Sequence, residues 1–308
     1  MSLTLPEKVA IIGAGRMGLG IGFLFASAGR RVALQDPYLA QLAKVPAELR
    51  RIASLMGVDA SRVATVEVRE TLEAAVADAD FVIEAAPEDL QLKRRLFAEL
   101  SRTAKPTAIL ASNTSVIPIG DIAADAFDRS RVIGAHFWNP PYLVPLVEVI
   151  SAPESSAGVV SRMMDLLRAV GRHPVHVRKD VPGFIGNRLQ HALKREAIAL
   201  VSAGVCDAET VDDVVKMGFG ARLAVLGPLE QSDLVGLDLT KAIHDVVLPD
   251  LDRTPHTQAY LAGLVAGGHM GMRTGRGFRT WTPEQAEGVR ARLESFLSAQ
   301  MRVGTADG

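Results

Sequence analysis

Short apolar runs that alternate with longer amphipathic ones across the first half of the chain restrict its fold more than any other feature. Runs at residues 9–12, 32–34, 63–66, 81–85, 108–111 and 132–135 are too short for helices and too apolar for edge strands. Between them, residues 17–28 carry Leu19, Phe23, Leu24 and Ala28 at helical spacing, and 37–55 and 89–104 also read as helices. Strand, helix, strand in this order predicts a mainly parallel sheet with helices on both faces, and right-handed crossovers make it doubly wound. The pattern changes after Val177. Stretches 184–202, 208–217, 231–247, 258–265 and 283–300 read as helices separated by Gly and Pro, and Thr282-Pro283-Glu284-Gln285 spells a capping box. The expected architecture is therefore α/β, with a Rossmann-type domain over 1–181 and an all-α domain over 182–308.

Composition narrows the partners. Lysines and arginines nearly balance the acids, leaving a formal charge of -1, so no field is available to hold nucleic acid or an anionic membrane surface. The single cysteine, Cys206, has no partner for an internal disulfide and no CxxC neighbour for a zinc site. No metal site is expected, no run reaches the roughly 20 apolar residues of a membrane span, and the N-terminus lacks the pattern of a secretory signal. A cytoplasmic protein acting on a small molecule is the expectation, with the helical domain as the place for a homodimer interface.

Gly13-Ala14-Gly15-Arg16-Met17-Gly18 follows the first strand and opens the first helix. In that context the first glycine permits the turn, the second admits a pyrophosphate close to the backbone, and the third lets helix and strand pack, with the helix N-terminus facing the anion. Asp36 ends the next strand, close to the expected spacing of roughly 20 residues for a carboxylate that binds an adenosine ribose. A carboxylate there repels a 2'-phosphate, which points to NAD rather than NADP; the alternative is a turn residue before Pro37. Gly13, Gly15, Met17, Gly18, Asp36, Ala85 and Ser112 are the candidate cofactor residues.

Ligands of doubly wound sheets lie beyond the carboxyl ends of the strands. There stand Glu84-Ala85-Ala86-Pro87-Glu88, Ser112-Asn113-Thr114-Ser115 and His136-Phe137-Trp138-Asn139-Pro140-Pro141, with Asn187 where the domains meet. Oxidising a secondary alcohol requires a base for the hydroxyl proton while hydride leaves for the nicotinamide, and histidine suits that task. His136 is the candidate base and Glu88 the carboxylate expected to orient it. Ser115 and Asn187 are expected to hydrogen-bond the substrate oxygens, and Asn139 to hold the local loop or the substrate. Structural alternatives are a hydrogen-bonded turn at Asn113-Thr114-Ser115 and a helix-start carboxylate at Glu88.

These segments, with Leu146-Val147-Glu148-Val149-Ile150, Pro182-Gly183-Phe184-Ile185-Gly186-Asn187-Arg188, Gly227-Pro228-Leu229 and Gly275-Arg276-Gly277-Phe278, resemble the 3-hydroxyacyl-CoA dehydrogenase family over nearly the whole chain. The resemblance implies His136 as base with Glu88 as its partner, Ser115, Asn139 and Asn187 at the substrate, NAD as cofactor and a dimerising helical domain. Asn139-Pro140-Pro141-Tyr142 and Gly227-Pro228-Leu229-Glu230 look more like the branch containing L-gulonate 3-dehydrogenase (lambda-crystallin) and carnitine dehydrogenase. The stretch from Asp36 to Glu88 is shorter than in the acyl-CoA enzymes and holds one lysine, Lys44. A free 3-hydroxy acid is thus expected slightly ahead of a 3-hydroxyacyl-CoA, with an NADP-linked reductase and a non-catalytic, crystallin-like NAD-binding protein as the competing readings.

Overall fold

The computed structural model describes residues 7–304, with side chains to residue 300. The chain divides into two units: one runs to Asn187 and takes in the last helix from Glu294, and the other is Arg188–Leu293. Residues 182–187, placed by the sequence reading at the start of the second domain, stay with the first because the amides of Ile185 and Gly186 are bonded to Glu148 inside it.

The first unit is built on one eight-stranded sheet. Its strands are β1 (Lys8–Ile12), β2 (Arg31–Gln35), β3 (Glu67–Arg69), β4 (Phe81–Glu84), β5 (Ile109–Ser112), β6 (Val132–Phe137), β7 (Leu146–Ser151) and β8 (His173–Val177). They lie in the order β3-β2-β1-β4-β5-β6-β7-β8, and every pairing is parallel except β6 with β7. Side chains alternate across a strand, so β1 feeds both apolar layers: Val9 and Ile11 enter one, Ala10 and Ile12 the other. Helix Arg16–Ser27 lays Ile21, Phe23, Leu24 and Phe25 on the first layer, and Leu90–Thr103 lays Phe97 and Leu100 on the second.

Three expectations are corrected. Residues 63–66 are not a strand: Val63 ends a short helix, Ala60–Val63, started by Asp59, and fills the core from there. The third strand is Glu67–Arg69, a half-exposed edge whose exposure leaves no apolar run to read. The single helix over 37–55 is two, Leu39–Leu42 and Val45–Met56, the second with Pro46 in its first turn. The helix over 231–247 is also two, Pro228–Val235 and Leu237–Val247, separated by Gly236 at φ 101°. Strands β7 and β8 had not been anticipated.

The second unit is helical: Ala208–Met217, Pro228–Val235, Leu237–Val247 and Ala259–Ala266 lie within it, and Gly186–Ser202 and Pro283–Gly304 enter and leave it. The capping box at the last helix forms as read, with Thr282 and Gln285 exchanging side-chain bonds to each other's amides at 2.9 and 3.2 Å. Among its residues only Ala286 is buried, while Met217, Leu229 and Val225 are 86%, 81% and 80% exposed. Among the described residues no helix is long and apolar enough to cross a membrane.

Candidate active site

At the carboxyl end of β1 the chain makes the tight turn that the glycines predict. The Gly13 amide donates to the Gln35 carbonyl at 2.7 Å, and the Gly13 φ of +107° is a conformation that side chains disfavour. A Cβ on Gly18 would stand 1.8 Å from the Gly13 carbonyl oxygen, so this position admits only glycine for the helix to start here. Gly15 differs: a Cβ there would meet no atom within 4 Å. Space above Gly15 is what a pyrophosphate approaching the backbone requires. Helix Arg16–Ser27 has no side-chain cap and no acid in its first turn, so its first amides and its dipole face that space uncompensated. Asp36 accepts from the Ala14 amide at 2.8 Å and the Tyr38 amide at 2.9 Å, which fixes its carboxylate beside the glycine turn. These residues fit NAD. Met17 is partly buried on the core, and the Ala85 carbonyl faces Gly13.

Ser112 does not belong to this surface. It is completely buried and donates its hydroxyl to Glu84 at 2.6 Å, so its expected contact with the cofactor is withdrawn.

His136 lies near the end of β6, directly opposite Glu148 in the antiparallel register with β7. Side chains opposite each other on one face of such a pair are neighbours, and His136 Nδ1 is 2.9 Å from Glu148 Oε2. The two are 4% and 1% exposed. The other carboxylate oxygen, Oε1, accepts the amides of Ile185 and Gly186, each at 3.0 Å. Burial pushes the Glu148 carboxyl up, but His136 and those two amides outweigh it and hold it below the usual carboxylate range. An ionised Glu148 accepts only, so Nδ1 carries the proton and Nε2 is the basic nitrogen. Among the described residues nothing hydrogen-bonds Nε2. The rings of Trp138 and Phe184 lie 5.3 and 5.7 Å from the imidazole, centroid to centroid.

The expected partner of His136 was Glu88, and the structure replaces it with Glu148. Glu88 Oε1 instead accepts the Thr114 hydroxyl at 2.6 Å and the amides of Ser115 and Val116 at 2.9 and 3.2 Å. Burial raises its carboxyl, and the Thr114 hydroxyl, Lys93 and the two amides together bring it below the usual range. Glu148 sits inside a strand, where a rule about residues beyond strand ends does not reach it. A signal existed: it is the one charged residue in the apolar stretch Leu146-Val147-Glu148-Val149-Ile150, and a buried charge needs a partner.

The other expected residues gather unevenly. Asn187 donates to the Ser115 carbonyl at 2.9 Å, which joins the start of helix Gly186–Ser202 to the loop after β5. Asn113 accepts the Phe137 amide at 2.8 Å and ties the ends of β5 and β6 together. Glu88, Ser115, Asn187, Gly186, Glu148 and His136 thus form one continuous constellation at the carboxyl end of the sheet. Asn139, exposed beyond β6, makes no hydrogen bond among the described residues.

Known proteins share both units. Residues 8–181 match the 3-hydroxyacyl-CoA dehydrogenase NAD binding domain, and 183–281 match the 3-hydroxyacyl-CoA dehydrogenase C-terminal domain. The 5-formyl-3-hydroxy-2-methylpyridine 4-carboxylate 5-dehydrogenase of Mesorhizobium japonicum is 33% identical over 309 residues, covering 96% of this chain and 98% of that protein. L-carnitine dehydrogenase of Streptomyces coelicolor is 38% identical over 245 residues, 76% of each chain. Among solved structures, a 5-formyl-3-hydroxy-2-methylpyridine 4-carboxylic acid 5-dehydrogenase, described as an NAD+ dependent dismutase, gives a TM-score of 0.90 over 97% of this chain and 98% of that one, at 33% identity. FadB2 of M. tuberculosis gives 0.74 at 34% identity, over 91% of this chain and 100% of that one.

Proposed function

The chain belongs to the 3-hydroxyacyl-CoA dehydrogenase family and is an NAD-dependent dehydrogenase acting on a CH–OH group, and from that premise we propose that it oxidises a compact free hydroxy acid at the hydroxyl-bearing carbon. The observation that carries the catalytic assignment is the buried His136–Glu148 pair with Nε2 uncommitted. Bound NAD+ supplies the hydride acceptor. Nε2 of His136 takes the hydroxyl proton, and Glu148 stabilises the imidazolium so formed and keeps Nδ1 protonated beforehand. The Ser115 hydroxyl and the Asn187 amide lie on the same rim and serve the substrate oxygens.

A free acid is favoured by the segment between β2 and β3. It folds as Leu39–Leu42, Val45–Met56 and Ala60–Val63, and the longest of these commits Val45, Leu49, Ile52 and Ala53 to the core. Lys44 is its only lysine. The TM-score of 0.90 with the pyridine-carboxylate enzyme favours aromatic formyl acids as a second substrate class. A hydrated aldehyde presents H–C–OH to the same base as an alcohol does.

The test is a panel pairing 3-hydroxybutyrate, L-gulonate and L-carnitine with 3-hydroxybutyryl-CoA and a formylpyridine carboxylate, followed by NADH absorbance. Free acids should exceed the thioester in kcat/KM by at least about tenfold. The reverse order overturns the substrate assignment, and NAD+ binding without turnover of any member favours a non-catalytic protein.

The working unit is proposed to be a homodimer joined through the second unit, whose exposed Met217, Val225, Leu229 and Val246 make a surface too apolar to be left in water. Light scattering of the purified protein at twice the 32.9 kDa chain mass supports this, and a single-chain mass refutes it. Dependence on NAD and a cysteine without a disulfide partner support action in the cytoplasm.

A further inference from the structure

Two aromatic rings flank the imidazole of His136, and they are held in different ways. Phe184 is 1% exposed and packs into the second apolar layer, so its ring is fixed by the core beneath it. Trp138 is only partly buried. It follows β6 directly and stands two residues beyond His136, which puts it on the same face and further toward the carboxyl end, where ligands of such sheets lie. Its ring centroid is 5.3 Å from that of the imidazole, and His136 itself is 4% exposed. The indole is therefore part of the wall past which a substrate reaches the base.

What seats this indole is the missing side chain of Gly186. A Cβ there would stand 2.4 Å from Trp138 Cζ2 and 3.1 Å from Cη2, well inside van der Waals contact. The φ of Gly186 is not positive, so the backbone itself does not call for glycine at the start of helix Gly186–Ser202. The ring accounts for it: its outer edge fills the volume that any other residue at 186 would take. Among the described residues the buried indole N–H has no acceptor, so no hydrogen bond fixes the ring and packing alone decides where it lies. The helix start, by contrast, is tied down, with the Gly186 amide on Glu148 at 3.0 Å and Asn187 on the Ser115 carbonyl at 2.9 Å. If the two are made to collide, the indole is the part that yields.

We infer that Trp138 is a specificity-determining residue and that Gly186 is its complement: seated in the volume of the missing Cβ, the indole walls the space beside His136, admitting a hydroxyl-bearing carbon with small substituents and excluding an extended alkyl chain. The kinetic half of this inference rests on the proposed oxidation of compact acids; the packing half does not. One methylene more or less in a fitted apolar site changes kcat/KM by roughly 10- to 200-fold, which sets the scale.

The experiment compares Trp138→Phe, Gly186→Ala and the double variant. Phenylalanine keeps an aromatic ring beside the imidazole and lacks the outer atoms that meet Gly186. The first readout requires no substrate. The chain has two tryptophans, Trp138 and Trp281, so subtracting the emission of Trp138→Phe isolates the indole in question. Its acrylamide quenching should rise about twofold or more in Gly186→Ala, as the ring is driven from its seat. With 3-hydroxybutyrate and 3-hydroxyhexanoate as a compact and an extended acid, the ratio of kcat/KM should shift toward the longer one by at least about tenfold in Trp138→Phe. Gly186→Ala should lose about tenfold or more in kcat/KM for 3-hydroxybutyrate, and adding Trp138→Phe should bring it to within about threefold of Trp138→Phe alone. An unchanged chain-length ratio overturns the specificity role. Unchanged quenching in Gly186→Ala, or two substitutions whose effects simply multiply, overturns the pairing. Should Gly186→Ala fail to fold, a folded double variant establishes the pairing, and failure of the double variant as well overturns it. If the wild type oxidises neither acid, the substrate reading fails, and quenching with thermal unfolding of the three variants still decides the pair.

Discussion

Replacing Glu148 by glutamine changes one atom and removes one charge, and the hydrogen-bond geometry shows why the consequence is large. The carboxylate receives three N–H donors, from His136, Ile185 and Gly186, at 2.9, 3.0 and 3.0 Å. A carboxamide has one accepting oxygen. If that oxygen serves the two backbone amides, the NH2 group faces Nδ1, donates to it, and moves the imidazole proton to Nε2, where it blocks the base. If the oxygen serves His136, the NH2 group is pressed against two donors at the start of helix Gly186–Ser202. Charge alone gives a comparable magnitude: an imidazolium and a carboxylate with centres about 4 Å apart interact by about 4 kcal/mol at an effective dielectric of about 20. That corresponds to about a thousandfold in rate when fully expressed in the transition state. We therefore expect kcat to fall by roughly 10² to 10⁴, with NAD+ affinity retained. Initial rates of NADH formation, calorimetric NAD+ binding and thermal unfolding of the same preparation measure the three quantities. A variant that folds, binds NAD+ and keeps more than about a tenth of wild-type kcat refutes the assignment of Glu148 as the partner of the base.

Three further expectations follow from other parts of the site. Gly15→Val should fold normally, since a Cβ there meets nothing within 4 Å, yet bind NAD+ at least about tenfold more weakly, whereas Gly18→Ala should unfold the domain or lower its melting temperature by several degrees, its Cβ falling 1.8 Å from a carbonyl oxygen; equal NAD+ affinity in Gly15→Val would remove the pyrophosphate from that turn. The folded Glu148 and Glu88 carboxyls lie below their ordinary values, so the stability they add is complete above the unfolded glutamate value of about 4.3 and is lost as pH falls through the lower folded values. Urea titrations of wild type and Glu88→Gln should then converge as pH drops from about 5 to about 3, and a gap that widens on acidification would reverse the sign. Met217→Asp with Val225→Asp should convert the protein to single chains in light scattering, and an unchanged mass would place the interface elsewhere.

Most residues that the structure gathers at the candidate site are legible in the sequence, and one connection between them is not. Gly13, Gly15, Gly18 and Asp36 could be read because their roles are set by local backbone geometry: a turn, an open approach, a close packing and a strand end. His136 could be read because a histidine after an apolar run stands at the carboxyl end of the sheet. Its partner could not, because Glu148 lies on β7, which runs against its neighbour β6, and pairing register is not a local property. The wrong choice, Glu88, is near the same cleft and belongs to a different network. Similarly Ser112, adjacent in sequence to residues on the rim, points into the interior where Glu84 waits for its hydroxyl.

By itself, then, the order of residues determined an alternating α/β domain followed by helices, a glycine turn that fits NAD, and a histidine at the carboxyl end of the sheet, since periodicity and turn chemistry act over a few residues. Which carboxylate meets that histidine, which serines are buried, and which lysine stands without water were decided only when distant strands came into register. Those contacts join residues 9 to 28 positions apart on different elements, and local periodicity does not contain the free energy that selects them.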